Sequence, residues 1–182
     1  RDVVDEIVVA DNGLSESALT ILHMAGAKVV GGANPMQEGF DVSRNKALDA
    51  CTMDWVLWID TDERLVYPDR ISKYLRHNHW QGYGVRQHHF AVDTKFEPDM
   101  PVRFYRRAAR DGLVMRHYGR IHEHPELALN SGPGPIVVLS DIHIAHIGYL
   151  DEEGRQRRFW RNLPLLEKDE KDYPERSIQK HF

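Results

Sequence analysis

The stretch WVLWIDTDERL, residues 55–65, limits the fold more than any other part of this chain. Trp55-Val56-Leu57-Trp58-Ile59 is a near-continuous apolar run, the pattern of a central strand in a parallel sheet covered on both faces. Three acids and an arginine follow at once, so they fall at the strand's carboxyl end, the edge where open α/β sheets bind ligands. In an extended backbone, residues two apart point to the same side about 6–7 Å apart, which predicts that Asp60 and Asp62 face one ligand together. Two carboxylates so placed suit a divalent cation such as Mg²⁺ or Mn²⁺, which can bridge phosphate oxygens. Exposed turn carboxylates produce the same short D-x-D pattern.

The flanking sequence repeats an alternation of strand and helix. Residues 5–10 read as a strand broken at Asp11-Asn12-Gly13. Ser15 caps a predicted helix with Ala18, Ile21, Leu22 and Ala25 on one buried face, and Gly26 ends it. Residues 27–30 form a second strand, Ser43 opens a second helix carrying Ala47, Leu48 and Cys51, and residues 54–59 form the third strand. Strand, helix, strand, helix, strand within some 60 residues predicts a parallel sheet with right-handed crossovers, half of a nucleotide-binding α/β architecture.

Beyond Tyr67 the period changes. A short helix is expected over residues 68–76, antiparallel strands over 82–92 and 102–106, a loop over 131–135 and a strand over 136–139. The segment 151–182 carries eight acids and eight bases. Phe159, Leu163 and Leu166 still make an apolar stripe at i, i+4, i+7, predicting an amphipathic helix kinked at Pro164. These breaks divide one domain into a nucleotide-binding half (1–66), an acceptor half (67–150) and a helical segment (151–182).

Composition removes several classes. A net charge of -4 gives no general drive toward nucleic acid or anionic membrane. The single cysteine, Cys51, excludes an intrachain disulfide and a cysteine-based zinc cluster. No apolar run reaches the roughly 18–20 residues that span a bilayer, and no signal-peptide core is evident, so the expected location is cytoplasmic, with membrane contact only peripheral, at the inner face.

The strings VVDEIVVADNGLSESALTILHMAGAKVV and FDVSRNKALDACTMDWVLWIDTDERL closely resemble the family 2 glycosyltransferases of the GT-A fold. In that family a strand ending in Asp, a basic helix start and D-x-D occur in this order. The resemblance continues through VRFYRR, GRIHEHP, AHIGY and RNLPLLEK, and is greatest to the bacterial branch that modifies lipopolysaccharide cores or other surface glycans. It implies a GT-A-like, Rossmann-type nucleotide-binding sheet with a smaller antiparallel acceptor half and a C-terminal amphipathic helix.

Carried onto this sequence, the resemblance implies a role for each of six residues. Asp11 contacts the nucleotide base and Arg44 holds the nucleotide. Asp60 contacts the ribose or a metal-bound water. Asp62 coordinates Mn²⁺ or Mg²⁺, with His146 as a further metal or diphosphate contact. Glu123 is the general base, and the sugar pocket draws on Arg103, Arg106 and the segment near His122. The donor is then a nucleotide-diphosphate sugar, with uridine the commonest base, and the acceptor a glycan, lipid-linked or protein hydroxyl. Family members usually carry one more strand before DEIVV, so the expectation is a fragment or a partner that fills the gap.

Each residue also has a plainer reading. Asp11 can make an Asx-turn with Gly13. Arg44 can be a surface helix residue, Glu123 can pair with Arg116 or Arg120, and His122, His124 and His143 read as structural or exposed. Two other functions compete with transfer: a non-catalytic nucleotide-sugar or glycan-binding module, and a metal-dependent hydrolase.

Overall fold

The computed structural model of the protein describes residues 3–76, 79–91, 98–128 and 131–176. The first half follows the expected alternation. Strand β1 (Val8–Asp11) pairs in parallel with β2 (Lys28–Gly31). Between them runs α1 (Glu16–Met24), whose first turn is closed by the Ser15 hydroxyl accepting from Ala18 N at 3.3 Å. Its inner face is Leu14, Ala18, Leu19 and Leu22. Ile21 and Ala25, expected on that face, point outward, and Ile21 is 66% exposed.

Asn34 caps a single turn, α2 (Pro35–Glu38), and Gly39 then redirects the chain into α3 (Phe40–Ala50). Gly39 has φ +104°, and a Cβ there would sit 2.9 Å from Arg120 Cα, so only glycine allows the close approach of this corner to residue 120. The helix therefore begins three residues before Ser43, the expected start.

Strand β3 (Trp55–Leu57) departs from expectation. It is an edge strand, and among the described residues its partner is β6 (Val102–Arg106), to which it runs antiparallel. With β4 (Glu63–Val66), β5 (Gly82–Ala91) and β9 (Ile136–Tyr149) these make a five-stranded sheet of order β3-β6-β5-β9-β4. All its pairings are antiparallel except β5 with β9. The apolar run at residues 55–59 has another origin than burial on two faces. Trp55 stacks on Phe104 and Tyr83 at 4.8 and 5.5 Å between ring centroids, and Trp58 Nε1 donates to the Val102 carbonyl at 2.9 Å. The expected strand at 136–139 extends ten residues further, and Val92, the expected end of β5, lies outside the described residues.

This order places β3 and β4 at opposite edges, joined by residues 58–62 alone. Four strand spacings of about 4.8 Å make a flat sheet about 19 Å wide. Six residue steps reach about 20 Å only when fully extended. The connection contains a turn, because Glu63 N donates to the Asp60 carbonyl at 3.0 Å. The sheet must therefore curl, bringing its edges together around this segment.

Neighbouring strand residues pack on opposite faces. Phe104 joins Ile71, Tyr83, Val85, Ile142 and Ile144 on one face, and Tyr105 joins Leu48 and Met115 on the other. A 3-10 helix (Pro68–Lys73) covers part of the first. A small ribbon of β7 (Arg116–Tyr118) and β8 (His124–Glu126) follows the second.

The last helix, α4 (Glu152–Asp172), continues through Pro164. The stripe expected to bury it is turned out instead: Phe159 is 60% and Leu163 39% exposed, with Leu166 half-buried. Leu165 and Asp169 are fully buried. Asp169 accepts from Arg120 N at 2.5 Å and from Arg176 Nη1 at 2.6 Å, so a buried ion pair fixes the helix against the 119–123 segment.

Candidate active site

The Asp60–Glu63 turn is closed from both sides by Glu63. Its amide donates to the Asp60 carbonyl, and its Oε2 accepts from Asp60 N at 2.8 Å. Its Oε1 accepts from Arg103 Nη2 at 2.6 Å and Gln87 Nε2 at 2.5 Å. Glu63 and Arg103 are 3% and 4% exposed. Burial pushes the Glu63 carboxyl up and the Arg103 guanidinium down, and the attraction between them opposes both shifts. Arg103 thus braces the turn from a buried position. Arg106 lies at the far end of β3, stacked 4.5 Å above the Trp55 ring.

The turn overturns the expectation that Asp60 and Asp62 share one extended side: their carboxylates take different partners. Asp60 Oδ1 accepts from Arg44 Nη2 at 2.8 Å, and Arg103 Nη1 lies 3.6 Å from Asp60 Oδ2. Arg44 Nε donates to Glu123 Oε1. One guanidinium from α3 therefore ties the end of β3 to a residue 79 positions later in the chain. Trp58 packs beneath both arginines, 4.0 Å from Arg44 and 3.6 Å from Arg103. Burial alone would lower the Arg44 pKa, but Glu123 and Asp60 outweigh it and hold the group above its ordinary value. Arg116 and Arg120 are not the partners of Glu123: they pair with Asp49 and Asp172.

Glu123 is carried on a constrained loop. His122 sits at φ +50°, its carbonyl accepting from Arg176 Nη2 at 3.0 Å, and Gly119 at φ +115° leaves room for the Arg176 guanidinium. The Glu123 side chain is 7% exposed.

Asp62 belongs to a second group. The antiparallel register of β4 on β9 sets Glu63 opposite His146, and Asp62 Oδ2 lies 3.2 Å from His146 Nε2. That hydrogen bond, against partial burial, holds the Asp62 pKa below the ordinary carboxylate value. Gly148 is next to the pair. A Cβ there would overlap Asp62 Oδ2 and lie 2.8 Å from His146 Nε2, so the absence of a side chain keeps a small cradle open between a hard oxygen and an imidazole nitrogen. This donor set fits Mn²⁺ or Mg²⁺, with its remaining positions left to water or phosphate oxygens. Among the described residues there is no group of three or more His, Cys, Asp or Glu side chains that could hold a metal.

A family model, glycosyl transferase family 2, matches residues 2–131, more than half of the chain. The chain belongs to this family. Asp11, Arg44, Asp60, Asp62 and Glu123 fall inside the matched span, and His146 lies beyond it. A TPR repeat-containing protein of Synechococcus elongatus is 38% identical over 66 residues, 36% of this chain and 16% of that protein. An uncharacterized glycosyltransferase of Rickettsia felis is 34% identical over 65 residues, 36% of this chain and 22% of that protein. The chain thus covers less than a quarter of either relative's length.

Within this family 2 domain Asp11 stands apart from both groups. Its Oδ1 accepts from Gly13 N and Leu14 N at 2.8 and 2.7 Å, the Asx-turn that its sequence allows, and these bonds lower its pKa. Asp11, Asn12, Gly32, Ala33, Asn34, Pro35 and Glu38 line a surface pocket of about 380 Å³. Ser43 on α3 joins this pocket to the ion-pair group. Its hydroxyl donates to Asn12 Oδ1 at 2.7 Å and accepts from Ala33 N at 2.9 Å, while the next residue, Arg44, reaches Asp60 and Glu123.

Sequence reasoning gave no role to Glu63, Trp58 or Gly148. Glu63 carried a signal, since a third acid beside D-x-D heads a strand whose neighbours are apolar. Gly148 carried none, because its role depends on a pairing between residues 84 positions apart.

Proposed function

We propose that the chain is the catalytic domain of a metal-dependent inverting glycosyltransferase, one that moves a hexosyl group from a nucleotide-diphosphate sugar to a hydroxyl acceptor. The observation that carries the reading is the double engagement of Arg44, which joins Asp60 at the D-x-D turn to Glu123 in one ion-pair group. A cation shared between two carboxylates beside an open Asp62–His146 cradle is suited to receive an anionic diphosphate. Asp11 and the pocket around it take the nucleotide base, uridine in the first instance.

Asp62 and His146 would hold the divalent ion, which when bound neutralises charge on the leaving diphosphate. Asp60 faces the ribose or a water of that ion. Glu123 accepts the proton of the acceptor hydroxyl as its oxygen bonds to the anomeric carbon from the face opposite the leaving group. The anomeric C–O bond then breaks with its electron pair on the diphosphate oxygen. Since Glu123 is paired with Arg44 in the free protein, donor phosphates that compete for Arg44 release the carboxylate for this role, which favours donor binding before acceptor.

The acceptor class is a glycan, lipid-linked or protein hydroxyl in cell-surface glycan assembly, as in the lipopolysaccharide-core branch, with the enzyme cytoplasmic or peripheral at the inner membrane face. No helix among the described residues is long and apolar enough to cross a membrane.

The test is calorimetric titration with UDP and UDP-glucose, with Mn²⁺ and then with EDTA, in wild type and Asp62→Ala. Metal-dependent binding that is lost in the variant is expected. Nucleotide-sugar affinity indifferent to metal and to Asp62 would sink the metal-dependent reading. Sugar released to water at the rate of donor consumption, with no acceptor product, would assign a hydrolase instead.

A further inference from the structure

His146 is held from behind. β5 and β9 run parallel with His89 and His146 as Cα partners, and the two rings meet edge-on, 5.0 Å between centroids, with Nδ1 facing Nδ1 at 2.8 Å. His89 Nε2 lies 2.9 Å from Asp99 Oδ2. Asp99 is itself placed by a pair of backbone bonds, donating to the Gln87 carbonyl at 3.1 Å and accepting from Gln87 N at 2.8 Å. Tyr149 packs against both rings, 4.8 Å from His146 and 5.5 Å from His89.

The hydrogens of this chain follow from what each atom can donate. An ionised carboxylate only accepts, so His89 Nε2 carries the hydrogen toward Asp99. A neutral His89 then presents Nδ1 as an acceptor, and the facing His146 Nδ1 must carry the hydrogen between them. That makes Nε2, the His146 atom 3.2 Å from Asp62 Oδ2 and beside Gly148, the nitrogen available to a cation, which on binding would replace the hydrogen bond between them.

We propose that His89, steadied by Asp99, is a positioning residue that fixes the tautomer and orientation of His146 for metal ligation. The inference rests on the reading of Asp62 and His146 as the metal pair. Ligating histidines generally donate their second ring hydrogen to an outer partner, and loss of that partner typically lowers metal affinity about 10- to 100-fold. Here the outer partner is another imidazole, backed by an exposed carboxylate.

The test is Mn²⁺ binding by calorimetry on the whole protein, for wild type, His89→Leu, His89→Gln, Asp99→Asn and Asp62→Ala, with ring-nitrogen NMR of His146 in the Mg²⁺-loaded wild type. His89→Leu should weaken Mn²⁺ by about 10- to 100-fold. His89→Gln, whose amide oxygen can accept from His146 Nδ1, should recover most of the affinity, and Asp99→Asn should have a smaller effect. The NMR shifts should show hydrogen on Nδ1. Should His89→Leu fail to fold, the exposed Asp99 variant and the wild-type NMR decide. If Asp62→Ala abolishes Mn²⁺ binding while His89→Leu keeps wild-type affinity, or if Nε2 carries the hydrogen in the loaded protein, the positioning role is overturned and the metal pair stands. If Asp62→Ala binds Mn²⁺ as wild type does, the metal pair and the proposal fall together.

Discussion

Two carboxylates of one turn, Asp60 and Asp62, are about equally exposed, 40% and 39% at the side chain, yet sit in opposite electrostatic situations. Asp60 is closed upon: Arg44 bonds it, Arg103 stands behind it, and Glu123 and Glu63 pair with those two arginines. Asp62 meets an imidazole directly, at 3.2 Å, beside a glycine whose lack of a side chain permits the approach. The carboxylates of the first group already have arginine partners, so a ligand there would have to exchange with them. The second has the His146 imidazole as its hydrogen-bond partner and Arg158 near enough to help lower the Asp62 pKa. Under the proposed function the first group would receive the anionic substrate and the second the cation, and the Asp60–Glu63 turn sets the two side by side.

The largest expected effect breaks the first group at Glu123, its proposed catalytic end. Glu123→Gln keeps the shape and an acceptor oxygen for Arg44 but removes the base, so turnover should fall about 10²- to 10⁴-fold with donor affinity largely kept. Steady-state transfer kinetics beside donor titration check this, and near-normal turnover would remove Glu123 from the chemistry.

Next comes the Asp62–His146 pair. Gly148→Ala fills the cradle without backbone strain, since Gly148 has no positive φ. Mn²⁺ affinity should drop about 10- to 100-fold, the range seen when a ligand's surroundings are disturbed, while the unfolding midpoint in urea barely moves. A variant with unchanged affinity would mean that the cation, if any, sits elsewhere.

A smaller effect separates the groups by stability. Arg44→Met leaves the nearly buried Glu123 without its cation and should cost about 1–3 kcal/mol in urea unfolding. Asp62→Asn, at an exposed pair, should stay within about 1 kcal/mol. Equal losses would erase the distinction between a closed group and an open one.

How much of this was legible in the sequence follows the range of the interactions. Local signals held: the Asp11 Asx-turn, the Ser15 cap and the limits of β6 at Val102 and Arg106 are set by neighbours in the chain. Of the six candidate residues, Arg44, Asp60 and Glu123 fall in one ion-pair group, Asp62 and His146 pair with each other, and Asp11 stands apart. What failed depended on long-range pairing. Trp55–Leu57 read as a central parallel strand because aromatic stacking and two-sided burial select the same residue types. Asp60 and Asp62 read as one extended pair because nothing in D-x-D declares that the next residue, Glu63, will close a turn by reaching Arg103 and Gln87. On α4 a periodic stripe pointed to Phe159, whereas the buried positions answer to an ion pair of Asp169 with Arg176.

The smallest effect probes a third carboxylate beside the closed group. Asp41, in the first turn of α3, is 6% exposed, and its pKa is pushed up to about 6, mainly by burial and in part by the nearby Glu123 charge, against bonds from Val42 and Gly119 amides. A folded-state pKa above the unfolded value means that the native state holds its proton more tightly. Stability contributed by Asp41 is therefore full below about pH 4 and is lost as pH rises through about 6. Asp41→Asn, which cannot ionise, should leave stability unchanged at pH 4, raise Tm by a few degrees at pH 8 and flatten the profile between. Glu123→Gln removes only the charge contribution, so its profile should keep the slope but shift it to lower pH. If Glu123→Gln keeps the wild-type profile, Asp41 does not sense Glu123, and the closed group ends at Arg44 instead of extending into the core of α3.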